Sequence, residues 1–235
     1  MLIFLGTGAS GGTPGKGKSK RQESSLLVSN SFNILIDATR YFQEQSKLIE
    51  KIDLVLITHA HKDAYGGISK LNKWLKKPVP IYAHKKTIAT IKKHFKNLRN
   101  CKFFSVQDKA EIRFNGWKIN PIAVPHPKVP TFDWKLESSK KLVYASDISR
   151  ITPKFKKFCR GVDLLIIDGA MWSRSIFSHI QLDKELPKMD KWKVKRIIVT
   201  QIGKTAPSHE KFRREIRKLS KKAMPAYDGM KVKDI

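Results

Sequence analysis

The sequence predicts an α/β fold in which two β-sheets pack on each other and helices cover both outer faces, a four-layer αββα sandwich. Two observations lead there. Short apolar runs of strand length recur along the chain, as a meander in some stretches and alternating with helical patterns in others, unlike a purely parallel doubly wound sheet. Polar residues able to do chemistry stand at the ends of several of these runs, where open α/β sheets place their sites.

In chain order, strands are predicted at residues 2–5, 25–28, 33–36, 54–57, 79–82, 102–105, 117–124, 141–145, 164–167 and 196–200. Leu54-Val55-Leu56-Ile57 and Leu164-Leu165-Ile166-Ile167 are uninterrupted apolar runs, as strands buried on both faces require. Helical patterns lie near residues 41–50, 67–75, 85–95, 153–158, 182–189 and 209–219, several with lysine- and arginine-rich outer faces. No internal repeat or low-complexity linker interrupts them. With 235 residues and 40% hydrophobic content, one domain spanning residues 1–235 is expected.

Lys+Arg 48 against Asp+Glu 20 gives a formal charge of +28, spread over segments 16–21, 70–77, 85–99, 154–160, 184–196 and 211–222. Two readings stand: a solvated, lysine-biased surface, or a field that attracts RNA or DNA. Cys101 and Cys159 lack partner spacing, which argues against a disulfide framework or a cysteine zinc site. Met1-Leu2-Ile3-Phe4-Leu5 is too short for a signal-peptide core and no apolar stretch approaches membrane-spanning length, so a cytoplasmic protein without membrane association is expected.

Two phosphate-binding motifs fail on context. Gly6-Thr7-Gly8-Ala9-Ser10-Gly11 matches a dinucleotide fingerprint, but Gly12-Thr13-Pro14-Gly15 follows where a helix must open. The segment 12–19 matches a P-loop ending Lys18-Ser19, yet leads into strand-like Leu26-Leu27-Val28, without the helix N-terminus that binds the anion. A flexible glycine-rich loop at a cleft rim accounts better for these residues.

The most informative segment is Thr58-His59-Ala60-His61-Lys62-Asp63-Ala64, directly after an apolar strand. Two histidines and an aspartate at i, i+2 and i+4 can aim several donors at one spot. His126, fixed in Pro125-His126-Pro127, also follows an apolar strand, and Asp37 and Asp147 end two more. Taken singly, each has an ordinary reading as a cap or turn residue.

With these residues the chain resembles the metallo-β-lactamase superfamily of binuclear metal hydrolases. The Gly6-Thr7-Gly8-Ala9-Ser10 opening and Ser24-Ser25 before a strand place it near the ribonuclease Z and cyclic-phosphodiesterase branch. The resemblance implies His59, His61 and His126 as ligands of a first ion, Asp147 as a bridging carboxylate, Asp63 as a ligand of a second ion, and Asp37 as a residue orienting the histidine loop. It also implies a homodimer. The family's H-x-H-x-D-H reads here His59-Ala60-His61-Lys62-Asp63-Ala64, and Gln201 stands where a histidine usually follows the strand and Thr200. One tightly held zinc is therefore expected, with manganese or magnesium only at a weak second site. His209 is read as the start of the last helix rather than a replacement ligand.

The expected activity is hydrolysis of a phosphodiester, in RNA, DNA or a smaller molecule, by a metal-activated water. Asp63 would orient or deprotonate that water. His179 resembles a ribonuclease Z residue that protonates the leaving oxygen; a helix-start polar residue near Asp183 is its other reading. The short span from His126 to Asp147 leaves no room for a long RNA-gripping arm. His84 and His94 read as surface residues, and Trp172 as core or cleft lining. The competing reading is a catalytically degenerate metal-fold protein that serves as a basic nucleic-acid-binding module.

Overall fold

The computed structural model describes residues 1–173 and 177–233. The chain first lays down β1 (Leu2–Gly6), β2 (Ser25–Ser29), β3 (Asn33–Ile36), α1 (Phe42–Gln45), β4 (Leu54–Leu56), α2 (Lys62–Tyr65), α3 (Ile68–Trp74), β5 (Val79–His84), α4 (Lys85–His94) and β6 (Cys101–Val106). It continues with β7 (Ile112–Phe114), β8 (Trp117–Val124), β9 (Thr131–Glu137), β10 (Lys141–Ala145), α5 (Pro153–Phe158), β11 (Leu164–Asp168), α6 (Leu182–Asp190), β12 (Arg196–Thr200), α7 (His209–Leu219), β13 (Ala223–Pro225) and β14 (Lys231–Val232).

These strands make two seven-stranded sheets, ordered β14-β1-β2-β3-β4-β5-β6 and β13-β12-β11-β10-β9-β8-β7. Each sheet is antiparallel at one end and parallel at the other, the crossovers of the parallel part being helices. The mixture of meander and alternation in the sequence is this division.

Three apolar layers hold the four structural ones. Alternate strand residues, including Phe4, Leu26, Ile36, Phe132, Trp134, Tyr144 and Ile166, meet between the sheets. The opposite faces pack under helices: Leu27, Leu35 and Val55 beneath Phe42, Ile68 and Ile91, and Val143, Leu165 and Val199 beneath Phe155, Leu186 and Phe212. With both faces covered, β3 and β4 carry no solvated alternation, and the sequence there is almost wholly apolar.

Several expected boundaries shift. No strand is predicted between residues 124 and 141, yet Thr131–Glu137 is a central strand paired with both β8 and β10. Its lysine and acidic residues hid the alternation of Phe132, Trp134 and Leu136 toward the core. The helix near 41–50 is one turn of α-helix followed by a 3-10 turn. The metal motif itself starts a helix at Lys62, and β7, β13 and β14 are too short to show a period. No helix among the described residues is long and apolar enough to cross a membrane.

Candidate metal centre

β8 runs antiparallel to β9, and β9 antiparallel to β10, so β8 and β10 point the same way. The segments after β8 and β10 therefore leave one edge of their sheet together, carrying His126 and Asp147. The segment after β4 brings His59, His61 and Asp63 to the same place from the other sheet, and that after β12 brings Gln201. Three residues in this set hold a left-handed backbone without being glycine: Asp37 at φ 65°, Lys128 at φ 68° and Gln201 at φ 54°. Such conformations cost about 1–3 kcal/mol and persist where the surroundings fix them.

The rings of His59, His61 and His126 face one another with centroids 4.7–5.2 Å apart, and one nitrogen from each lies within 4.8 Å of the others. The Asp37 carboxylate accepts the Thr58 backbone N–H at 2.8 Å and its hydroxyl at 2.9 Å. The Thr58 oxygen in turn lies 2.9 Å from His59 Nδ1. With Thr58 donating to Asp37, its oxygen accepts the Nδ1 proton, which leaves His59 Nε2 as a lone pair aimed into the centre. His126 is oriented in the same manner, Nδ1 lying 3.1 Å from the Ser178 carbonyl and Nε2 3.3 Å from His61 Nδ1.

Burial depresses His59 and His126 to about 4 and lowers His61, which His126 lowers further. The imidazoles are thus neutral near pH 7, the form that ligates metal. His59 Nε2 is buried with no hydrogen-bond partner among the described residues, a condition that costs about 1–3 kcal/mol unless something pairs with it. Asp63 and Asp147 stand beside it, their nearest oxygens 3.9 and 4.0 Å from that nitrogen. Burial, and then the charge of Asp147, push Asp63 up to about 7. Burial opposes the charged form of Asp147 too, but His59, His179 and His126 hold it below the usual carboxylate range. Three convergent imidazoles, with the His59 Nε2 lone pair orphaned, beside two crowded carboxylates suit a divalent ion of zinc's borderline softness.

Around this core lie partners that sequence reasoning did not assign. Asp168 Oδ2 is 2.6 Å from His179 Nδ1. Burial works against a charged His179, and Asp168 more than offsets it, raising the imidazole to about 9. Asp168 ends an apolar strand just as Asp37 and Asp147 do, and that repeated pattern was the available signal. His179 lies in a loop before α6, its ring 5.8 Å from that of His126, so the helix-start reading does not hold. Glu23, fully buried, pairs with Arg40 and accepts the Gly11 N–H at 2.9 Å. That contact, with Thr13 paired to Arg21, ties down the glycine-rich loop expected to be loose; a 3-10 turn at Gly17–Ser19 stands where a phosphate-binding helix would begin.

Other candidates fall outside the cluster. His209 is the first residue of α7 and accepts a hydrogen bond from Arg21 at 3.1 Å. His84 accepts from the Lys86 N–H at the start of α4, and His94 stacks on Tyr65. Trp172 packs edge-on against Phe212, flanking the core.

The Asp37–Thr58–His59 relay has a measurable consequence. Thr58→Val keeps the side-chain shape and removes the hydroxyl, and zinc affinity is expected to fall about 10–100-fold in competition with a chelating dye. Unchanged affinity would mean that the relay does not orient His59.

A model of the beta-lactamase superfamily domain matches residues 32–202, which include all the residues of this centre. The chain belongs to the beta-lactamase superfamily. A diphosphatase of the PhnP family superposes with a TM-score of 0.88 at 27% identity, over 100% of this chain and 97% of that one. Zinc-bound PqqB from Methylobacterium extorquens superposes at 0.81 and 20% identity, over 97% and 98% of the two chains. The short form of human tRNase Z gives 0.71 and 18%, over 97% of each. An octanoyltransferase from Porphyromonas gingivalis is 24% identical over 254 residues, covering 97% of this chain and 50% of that protein; the chain spans about half the length of that curated relative. As a beta-lactamase superfamily domain, it carries its His/Asp cluster at the sheet edges, with Ala64 and Gln201 where the resemblance led a histidine to be expected.

Proposed function

We propose that the chain is a metal-dependent phosphodiesterase acting on a nucleic acid or a related phosphodiester. The observation that carries this reading is the convergence of His59, His61 and His126, with the orphaned His59 Nε2 beside Asp63 and Asp147. His59, His61, His126 and Asp147 would hold one zinc ion. When bound, zinc lowers the pKa of water toward neutrality and offsets charge on a phosphoryl oxygen.

The remaining chemistry belongs to the chain. Asp63 orients the attacking water and takes its proton as the bond from water oxygen to phosphorus forms. The opposite phosphorus–oxygen bond breaks, and His179, held by Asp168, gives its proton to the leaving oxygen. The products are a phosphomonoester and an alcohol. Lys128, close enough to depress His61, adds positive charge where the phosphate arrives.

A basic groove away from the histidines offers a separate contact for a long polyanion. Lys156, Lys157, Arg160, Lys191 and Lys193 line a groove of about 380 Å³ beside Trp192. All five are exposed, and none forms an ion pair among the described residues. The groove joins the end of α5 to the turn before β12, where the Gly161 N–H donates to the Lys193 carbonyl. That is the edge of the sheet opposite the histidines.

The test uses zinc-loaded protein and a bis(nitrophenyl) phosphodiester. Turnover should vanish on chelation and return with zinc, and RNA affinity should fall steeply with salt. Reversing Lys156, Arg160 and Lys193 to glutamate should cut RNA affinity at least about tenfold and leave nitrophenyl turnover unchanged. Absence of turnover with zinc and with manganese sinks the enzyme reading; retained RNA binding would then leave the binding-module reading.

A further inference from the structure

We infer that Gln201 fills the second cation's place with its own side-chain amide, so that the centre is built for a single ion. This rests on the metal-dependent reading above and concerns a residue to which that reading gives no task.

Gln201 follows β12 in a left-handed conformation, and its backbone N–H donates to Ser24 Oγ at 2.8 Å. Ser24 is held in turn by Thr200 Oγ1 at 3.0 Å and the Gly8 carbonyl at 3.2 Å. A strained backbone fixed by a buried serine gives the side chain one direction, and it runs between two carboxylates. Gln201 Nε2 lies 3.1 and 3.2 Å from the oxygens of Asp147 and 3.4 Å from Asp63 Oδ2. An amide carries two protons: one is shared between the Asp147 oxygens, and the other points to Asp63. All three residues are buried.

Two like-charged buried carboxylates need something positive between them, and the amide's N–H dipoles supply it. An ion entering there would have to expel Nε2 and leave its protons unpaired in a buried site, at a cost of about 1–3 kcal/mol. Its protein ligands would be two carboxylates, so waters or substrate oxygens would have to complete the six-oxygen shell of magnesium or manganese. Ala64 offers no donor: it is 2% exposed and packs in the apolar cluster with Ala38, Phe42 and Tyr65. Position 64 therefore belongs to the apolar core, and the Gln201 amide lies between the two carboxylates. The weak manganese or magnesium site anticipated from the sequence is on this account already taken.

The experiment reads metal content, independently of turnover. The protein is loaded with excess manganese, and in a parallel sample with excess zinc, gel-filtered, and measured by elemental analysis and by manganese EPR. Wild type should hold about one ion per chain, with an uncoupled signal. Gln201→Glu exchanges the donor for a third carboxylate and should hold about two, with a spin-coupled signal. If that variant does not fold, Gln201→Ala leaves the carboxylates facing each other, and manganese beyond the first equivalent should raise its melting temperature but not that of wild type. Two coupled ions in wild type overturn the inference, as does a folded Gln201→Glu that holds only one. A wild type that holds neither manganese nor, after the same loading with zinc, any zinc, beside a Gln201→Glu that gains one ion, sinks the hydrolase reading and supports this inference. No manganese and no zinc in either protein overturns both.

Discussion

Asp63→Asn is expected to lower kcat on a phosphodiester by about 10²–10⁴-fold while the zinc remains bound. Asparagine keeps the shape of the side chain and removes its ability to take a proton. Asp63 lies at the start of α2, buried, with one oxygen 3.9 Å from His59 Nε2 and the other near the Gln201 amide. If Gln201 satisfies it and no second ion claims it, the carboxylate is free to act on water held at the three histidines. Steady-state kinetics and zinc content from one preparation decide among three outcomes. A large loss of kcat with zinc retained supports the general base. Loss of zinc and activity together returns Asp63 to the ligand set. Unchanged turnover removes it from the chemistry.

The second large effect concerns His179. His179→Gln should slow cleavage of a diester with an alkyl leaving group by about 10²–10⁴-fold. It should scarcely alter cleavage of a nitrophenyl diester, because nitrophenolate departs as a stable anion and needs no proton. This selectivity separates proton donation from a structural role, which would slow both substrates alike. The geometry favours donation: Asp168 Oδ2 bonds Nδ1 of His179 at 2.6 Å, leaving the far side of the ring free, and the ring stands 5.8 Å from that of His126. Equal losses on the two substrates would assign His179 to holding the loop that carries Ser178, whose carbonyl orients His126.

The positions of these groups were legible to different degrees. His59, His61 and Asp63 sit within five residues of one another, so a local pattern sufficed. His126, Asp147 and Asp37 were found because each follows an apolar strand, and a strand's end is a place in a sheet before any coordinates exist. Asp168 ends a strand in the same manner, yet its meaning depended on which ring would lie beside it, and His179 reaches it from a loop with no period of its own. Thr58 and Ser24 stood in telling segments without a role of their own, and Glu23 gave no signal, since their roles are hydrogen bonds closed across the fold.

The same division holds for the architecture. Strands buried on both faces announced themselves as apolar runs, and the amphipathic helices by their periodicity. β9 did not: its outward lysine and glutamate residues broke the run, and only pairing with β8 and β10 identifies it as a central strand. By itself, then, the sequence determined the four-layer α/β class, the superfamily resemblance, the histidine set and the excess of positive charge, because each is written in short-range spacing or composition. The tertiary structure alone decided which way the histidine lone pairs point, that Asp168 holds His179, and that Gln201 turns its amide between Asp63 and Asp147. Those are contacts between residues far apart in the chain, set by sheet register and by a left-handed turn held by Ser24, and no local pattern encodes them.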